Sequence, residues 1–470
     1  MQKLLFFLCC VCGPFSLHAQ GYDITVQLKG YTGGTVYLGH YMGKTTYVMD
    51  SAQMNQQGIA VLKGKETQPG GIYLIVLPGK QRYFEILLDK QQTFSVAADT
   101  ADLAGKTEFR NSEDNAMFAA YNRYIATMAG EMEQVQRRQA AARTAQDTAA
   151  VRAASEAIGK KLQQYRSDIV TTRPGTLLAV IFKAMREPVV PPMPQKANGS
   201  LDSTYPYRYY KAHYWDDVNL ADGRLVRTPV LEARLARYFD QLVAPQPDSV
   251  IAEADWLIAK TQKDKESFKF VVWWLTKTYE TSPIMGMDAV FVHLVEKYYV
   301  TGQAYWVNDE QKEKIISRAY SIAPNLIGQK AAQLVLQDTA SRRTSLYDIK
   351  SKYTVVVFWD PTCGHCITEV PKLDSAFKAS WKQQGVTMLG VKTEGTREEW
   401  TAFIRDKKLT GWIHAWDPGY TTNYRKFYDV YSTPVVYLLD ENKKILAKRL
   451  GVEQLDGFLQ RELADTARKP

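Results

Sequence analysis

The spacing of apolar residues changes twice along this chain of 470 residues, and each change predicts a different kind of fold. Residues 22–98 alternate apolar and polar side chains in short runs, such as Asp23–Leu28 and Thr35–Leu38. Alternation with a period of two is typical of half-buried strands, and turns about every ten residues favour an all-β sandwich. Residues 20–108 are therefore predicted to form a β-sandwich domain.

Beyond Thr107 the apolar residues recur every three or four positions, which indicates one face of an amphipathic helix. The residues of that face are Phe118, Tyr121, Ile125, Met128, Met132 and Val135. The pattern predicts one long helix that continues to about Val170 and stops before Pro174 and Gly175. Further helices are expected near residues 229–242, 249–262, 266–280, 287–300 and 309–321. Residues 109–325 are predicted to be an all-α domain.

From about Ile327 onwards, strand patterns alternate with helix patterns. Thr354–Trp359 is a continuous run typical of a buried strand, and a helix is expected to begin at Cys363 directly after it. Later strands are expected at Val386–Val391, Trp412–Trp416, Val435–Leu439 and Lys444–Ala447, and later helices at Thr396–Lys407, Thr421–Tyr428 and from Val452. This alternation predicts an α/β domain with a mixed sheet over residues 326–470.

The first 19 residues have the features of a cleaved signal peptide. Lys3 precedes an apolar run that is too short to span a bilayer, and Ala19 supplies a small residue at the expected cleavage site. Lipid attachment at Cys9, Cys10 or Cys12 is the alternative, but the residues before them, Leu8, Cys9 and Val11, are not the small residues such a cleavage prefers. We therefore expect export to the periplasm or cell envelope and a soluble mature chain.

The composition argues against nucleic acid as a partner. The net charge is +9, and basic residues are interspersed with acidic ones without a long basic run. With 45% hydrophobic residues, the chain can build about three cores without disulfide bonds. Its stability is therefore expected to come from core burial.

Cys363 and Cys366 would be the one cysteine pair left after removal of the leader, in the motif Cys363-Gly364-His365-Cys366. Two cysteines separated by two residues after a buried strand predict a redox-active dithiol. A helix N-terminus lowers the pKa of a thiol, so Cys363 is expected to be the nucleophile and Cys366 the resolving cysteine. His365 is expected to favour the thiolate.

The C-terminal residues resemble the thioredoxin superfamily, and within it the TlpA-like and ResA-like periplasmic thiol:disulfide oxidoreductases. The resemblance rests on Phe358-Trp359, the C-x-x-C motif, Pro371, and Thr433-Pro434 before a strand, over roughly residues 327–470. It implies a cis peptide bond at Pro434 beside the dithiol, with the backbone of Thr433 pairing with a protein client. It places Trp359, Thr433 and Pro434 at the client-binding site.

The same resemblance suggests a proton relay. The buried acid of ordinary thioredoxins would fall six residues before Cys363, where this chain has Val357. The TlpA-like pattern C-x-x-C-x-x-E-x-P instead places a glutamate at Glu369. We expect Glu369 to exchange a proton with Cys366, and the alternative is an ordinary carboxylate on the surface of the helix.

Two departures from the family pattern leave the direction of electron flow open. Thr362 stands where thioredoxins commonly have Trp, and the central Gly364-His365 resembles protein disulfide isomerases. The chain could therefore act as a reductase, an isomerase or an oxidase. The regions before residue 326 resemble the β-rich and helical domains of multidomain Bacteroidetes-type envelope proteins, whose functions are uncharacterised.

Several other functions fit the sequence less well. The motif lacks the two further ligands of a zinc site, and residue 367 is Ile where covalent haem attachment needs His. A peroxiredoxin-like peroxidase and a scaffold protein whose thioredoxin-like module only docks a partner remain alternatives. The leading prediction is an enzyme with no cofactor or metal. It would act on protein thiol or disulfide clients and need a membrane or periplasmic redox partner, with its oligomeric state left open.

Overall fold

A computed structural model describes residues 21–468 of the chain. The predicted signal peptide, with Cys9, Cys10 and Cys12, lies outside the described residues. Between residues 21 and 468, no helix is both long enough and apolar enough to cross a membrane. The chain divides into two compact units, one formed by residues up to 242 with 260–268, and the other by residues 243–259 with those from 269 onwards.

The first 90 described residues form two four-stranded sheets, with strand orders β4-β1-β7-β8 and β3-β2-β5-β6. The strands are β1 (Asp23–Lys29), β2 (Thr35–Met42), β3 (Thr45–Gln53), β4 (Ile59–Lys63), β5 (Gly71–Val76), β6 (Tyr83–Leu88), β7 (Thr93–Asp99) and β8 (Thr107–Arg110). In β1, Ile24, Val26 and Leu28 are buried while the residues between them are not, because successive side chains point to opposite faces. One apolar core fills the space between the sheets, which confirms the predicted sandwich.

The central region is helical, as predicted. Its helices are α1 (Glu113–Ala141), α2 (Ala145–Thr172), α3 (Leu177–Ala184), α4 (Tyr205–His213), α5 (Pro229–Arg237), α6 (Pro247–Thr261), α7 (Lys265–Glu280), α8 (Asp288–Leu294) and α9 (Asp309–Ile322). Helices α5 and α8 continue as π-helical turns over Tyr238–Leu242 and Val295–Val300.

The single long helix predicted to reach Val170 is wrong in one respect, because it is divided into α1 and α2. The N-terminus of α2 is held by a capping box in which the Thr144 hydroxyl accepts from the Asp147 amide at 3.1 Å. The Asp147 carboxylate in turn accepts from the Thr144 amide at 3.0 Å. The two helices contact each other and share a small apolar core that includes Met128, Val135 and Ile158. Such a capping box begins a new helix where the apolar pattern alone suggests continuity.

The C-terminal region is a seven-stranded sheet with helices on both faces and the order β10-β9-β13-β12-β11-β14-β15. Its elements are β9 (Val335–Asp338), β10 (Arg343–Ser345), β11 (Tyr353–Trp359), α10 (Gly364–Ala376), β12 (Val386–Lys392), α11 (Arg397–Asp406), β13 (Ile413–Trp416), α12 (Tyr424–Phe427), β14 (Val435–Leu439), β15 (Ile445–Lys448) and α13 (Val452–Arg468). The central strand β11 is parallel to β12 and antiparallel to β14. The predicted mixed sheet is confirmed.

Every residue of β11 is buried, because cores lie on both faces of the sheet. Val355, Val357 and Trp359 pack on the face that carries α10, and Val356 and Phe358 pack on the other face. This explains why β11 is a continuous run rather than an alternating one. The strand ends directly before the dithiol motif and fixes the position of that motif at the edge of the core.

The edge strand β15 is held by residues of the preceding helical segment within the same unit. Lys448 is buried, and its ammonium donates to the backbone oxygen and to the side-chain oxygen of Asn325, both at 2.8 Å. It also pairs with Asp288 at 2.5 Å. Two oxygen atoms of Asn325 and one of Asp288 thus provide an acceptor for each of the three N–H groups of the ammonium, as a buried cation requires.

Candidate active site

The two cysteines of the motif lie at the junction between β11 and α10. Cys363 is the N-cap residue of α10, with an extended backbone conformation, and its amide donates to the backbone oxygen of Asp360 at 3.3 Å. Residues 360–362 form a short turn that lifts the chain from the strand to the helix. The sulfur of Cys363 therefore lies at the positive end of a helix of 13 residues.

Cys363 is half-buried and its thiol is acidified by its surroundings. The backbone amide of Cys366 is the main cause that lowers the pKa of Cys363, and the Thr433 hydroxyl and the backbone amide of His365 lower it further. Partial burial opposes these contacts without cancelling them. Hydrogen bonds to the charged form stabilise the thiolate, which is the form that attacks a disulfide.

Cys366 is fully buried, and burial raises the pKa of its thiol to about 11. The amide of Asp360 donates to its sulfur at 3.5 Å, which partly offsets that effect. One cysteine is thus accessible and acidic while the other is buried and protonated at neutral pH. This difference is what separates an attacking thiol from a resolving one.

The segment Thr433-Pro434 faces the dithiol. The Thr433–Pro434 peptide bond is cis, as the family resemblance implies. The Cys363 thiol donates to the backbone oxygen of Thr433 at 3.5 Å, and the Thr433 side chain acts to lower the pKa of both thiols. The effect of Thr433 was not anticipated from the sequence, because it depends on a turn far along the chain.

His365 is exposed on the first turn of α10. Its contribution to the acidity of Cys363 comes from its backbone amide. The imidazole was expected to favour the thiolate, and that role stays a prediction. Its exposure leaves the ring available to a client or to solvent.

Glu369 is half-buried and lies three residues after Cys366, on the same side of α10. Its carboxylate pairs with Lys372 at 2.8 Å. It lines a cavity of about 400 Å³ together with Leu373, Pro434, Val436, Arg449, Leu450 and Val452. Among residues 21–468, Glu369 makes no hydrogen bond to either sulfur, and neither cysteine is among the residues that line this cavity.

Trp359 conflicts with the client-binding role expected for it. Its side chain has no exposed surface and packs against Phe403 with ring centres 5.0 Å apart. A residue at the end of a buried central strand faces the core rather than a client. Trp359 instead forms part of the core on which α10 rests.

Sequence reasoning overlooked Asp360 and Lys392. The Asp360 carboxylate accepts from the amide and the hydroxyl of Thr362 at 2.7 and 2.8 Å. Lys392 is buried at the end of the neighbouring strand β12. The sequence carried a signal for both residues, because each is a charged residue at the end of an otherwise apolar strand, where charged side chains are unusual.

Family models match three consecutive parts of the chain. Residues 22–118 and 144–325 match two domains of unknown function, DUF4369 and DUF5106. Residues 327–461 match the AhpC/TSA family. The first two matches place the β-rich and helical regions in families that are described without a function.

Curated relatives and solved structures are similar to parts of this chain. The thiol-disulfide oxidoreductase ResA of Bacillus cereus is 28% identical over 138 residues, which cover 29% of this chain and 78% of that protein. A domain of a possible thiol-disulfide isomerase from Cytophaga hutchinsonii is 42% identical and covers 31% of this chain and 99% of its own, with a TM-score of 0.30. A thioredoxin-like protein from Bacteroides caccae is 20% identical over 57% of this chain and 97% of its own, with a TM-score of 0.46.

Proposed function

The C-terminal region is a thioredoxin-like domain of the AhpC/TSA family, and we propose that it catalyses thiol:disulfide exchange on protein clients through Cys363 and Cys366. The observation that carries this proposal is the contrast between the two thiols. The pKa of the accessible Cys363 is lowered and that of the buried Cys366 is raised to about 11. A structural cysteine pair has no need of such a difference.

In the reducing direction, the Cys363 thiolate attacks one sulfur of a client disulfide. An S–S bond forms between enzyme and client, and the other client sulfur leaves as a thiolate. Cys366 then loses its proton and attacks the sulfur of Cys363, which releases the second client thiolate. Two electrons pass to the client and the enzyme becomes a disulfide; oxidation of a client dithiol follows the reverse path.

The second step needs a group that takes the proton from Cys366, because a thiol with a pKa of about 11 is protonated at neutral pH. Glu369 is the proposed relay. Its position one helical turn beyond Cys366 supports this role. Its carboxylate also pairs with Lys372 at 2.8 Å.

Client positioning is proposed for Thr433 and Pro434. Thr433 presents its backbone oxygen 3.5 Å from the attacking sulfur, so a client strand paired with this residue would bring its own sulfur within reach of Cys363. The adjoining cavity is mostly apolar, with Leu373, Val435 and Val436 in its wall. A bulky side chain next to the client cysteine fits this space.

Export by the N-terminal leader is part of the proposal. A periplasmic or envelope location would give the dithiol access to disulfides that persist in an oxidising compartment. Regeneration of the starting form then requires a membrane or periplasmic redox partner. The direction of electron flow depends on that partner and on the reduction potential of the Cys363–Cys366 couple.

The test is an exchange assay on a protein disulfide, with Cys363→Ser and Cys366→Ser as matched variants. Loss of activity in both variants is expected, together with a stable mixed disulfide to a client in Cys366→Ser, because the resolving sulfur is absent. Full activity of Cys363→Ser would contradict the proposal and favour a scaffold role.

A further inference from the structure

Lys392 places a buried ammonium group beside the strand that leads into the dithiol. The residue is only 7% exposed, and it is in register with Trp359 of β11 and Trp416 of β13. Its Nζ lies 4.9 Å from the centre of the Trp416 ring. None of the ion pairs within 4 Å found among residues 21–468 involves Lys392. A buried cation with no carboxylate in direct contact is costly, so its presence calls for a role.

Three carboxylates favour the charged form of Lys392, those of Glu394, Asp360 and Glu399, against the burial that lowers its pKa. Glu394 already pairs with Arg425. Glu399 caps α11 by accepting from the amide and the hydroxyl of Thr396 at 2.8 and 3.0 Å.

Asp360 differs from these two acids. Its carboxylate accepts only from Thr362, a neutral residue, among the described contacts. Of the three acids, Asp360 is therefore the one whose described carboxylate contacts include neither a cation nor a helix cap that would stabilise its charge. Lys392 is the cation that can do so.

Asp360 touches both cysteines through its backbone. Its carbonyl oxygen accepts from the Cys363 amide at 3.3 Å, and its own amide donates to the Cys366 sulfur at 3.5 Å. A displacement of Asp360 would therefore change the position of one cysteine and the hydrogen bonding of the other. Its negative charge, if uncompensated, would also disfavour a nearby thiolate.

The backbone around Lys392 supports the same loop. The amide of Thr393 donates to the carbonyl oxygen of Trp359 at 2.9 Å. A Cβ placed on Gly395 would lie 3.0 Å from the side chain of Pro361, so the two turns are closely packed. The residues that directly follow Lys392 thus pack against the start of the dithiol loop.

We infer that Lys392 is a positioning residue which acts through Asp360, offsetting the charge of that carboxylate at the start of the dithiol loop so that Cys363 stays a reactive thiolate. The inference rests on the proposed dithiol function and adds to it a residue outside the C-x-x-C motif. Its role resembles a counterion rather than a catalytic group, since no contact joins it to a sulfur.

The experiment measures the rate at which iodoacetamide alkylates Cys363 in the reduced full-length protein between pH 5 and 9, followed by mass spectrometry of the Cys363 peptide. Lys392→Met is expected to lower the rate at pH 7 about threefold and to move the profile to higher pH. Lys392→Arg is expected to stay close to the unmodified protein. Lys352→Met is the matched control, because Lys352 lies at the opposite end of β11 with its Nζ 5.7 Å from the Tyr353 ring.

Asp360→Asn tests whether Lys392 acts on Cys363 through Asp360, and this single variant does not depend on the folding of the lysine variant. It is expected to raise the alkylation rate at pH 7, and addition of Lys392→Met to it is expected to change that rate by less than about twofold. An unchanged profile in Lys392→Met would overturn the inference, as would an equal fall with and without Asp360→Asn. If Cys363 and Cys366 form no reversible disulfide in the unmodified protein, the proposed function fails instead.

Discussion

The thiol of Cys363 lies 3.5 Å from the backbone oxygen of Thr433, a residue 70 positions later in the chain. The contact joins the N-terminus of α10 to the turn before β14, two elements connected only through the fold of the sheet. The Thr433 side chain also acts to lower the pKa of both thiols. One residue thus acts on the acidity of the thiols and on the space where a client is proposed to bind.

Thr433→Val is expected to reduce the reactivity of Cys363. Valine keeps the shape of threonine but removes the hydroxyl that stabilises the thiolate, so the pKa of Cys363 should rise. The alkylation rate at pH 7 should fall about twofold to fivefold. Thr433→Ser keeps a hydroxyl and serves as the control; an equal loss in both variants would show that the hydroxyl is not responsible.

The buried thiol of Cys366 predicts a specific pH dependence of stability in the reduced protein. Its pKa is raised from about 9 in the unfolded chain to about 11 in the fold, so the native state prefers the protonated form. The resulting stabilisation is fully present below about pH 9 and is lost as the pH rises through about 11.

A rise in the pKa of Cys366 from about 9 to about 11 corresponds to a stabilisation of about 2 to 3 kcal/mol in the free energy of unfolding. The free energy of unfolding should be measured from pH 8 to 11 in the reduced protein and in Cys366→Ala. Other groups that titrate in this range are common to both proteins, so their effects cancel in the comparison. The difference in the free energy of unfolding between the reduced protein and Cys366→Ala should therefore shrink as the pH rises. A constant difference would show that the Cys366 thiol is not shifted.

The fold was largely predictable because apolar residues recur with a different spacing in each of the three regions. The alternation in β1 and the continuous run in β11 predict a half-buried and a fully buried strand, and both predictions agree with the burial in the structure. The break between α1 and α2 was missed, although Thr144 and Asp147 carry the spacing of a capping box. The apolar face continues across the break and hides it.

The site was predictable only where neighbours in sequence are neighbours in space. Cys363 and Cys366 meet because a strand passes directly into a helix, which the local pattern shows. The pairing of Lys392 with Trp359 depends on the register between β12 and β11, which no local pattern fixes. Trp359 was misassigned because a family motif gives no measure of burial.

Glu369→Gln is expected to slow the resolving step while leaving the attack of Cys363 nearly unchanged. The amide cannot accept the proton of Cys366, so the mixed disulfide should persist longer, with resolution slowed about a hundredfold or more. Rapid-quench experiments with a client disulfide separate the two steps. Lys372→Met is the control, because it removes the ion-pair partner of Glu369 but keeps the carboxylate. Equal rates of resolution in Glu369→Gln and in the unmodified protein would contradict the relay.

Asp288→Asn is expected to destabilise the protein through Lys448. The substitution leaves the buried ammonium with its two contacts to Asn325 but without its counterion, at a cost of about 1 to 3 kcal/mol in the free energy of unfolding. Addition of Lys448→Met removes the uncompensated charge and should restore part of that loss. Chemical denaturation of the single and double variants measures both effects, and strictly additive losses would argue against the coupling.

The central claim is that Cys363 and Cys366 form a reversible two-electron couple. Equilibration of the protein with glutathione buffers, followed by mass-spectrometric counting of free thiols at these two positions, tests it most directly. The account predicts that both thiols disappear together in one transition with the slope of a two-electron couple, about 30 mV per tenfold change in the ratio of reduced to oxidised protein. A pair that stays reduced in every buffer, or that is lost one thiol at a time, would contradict it.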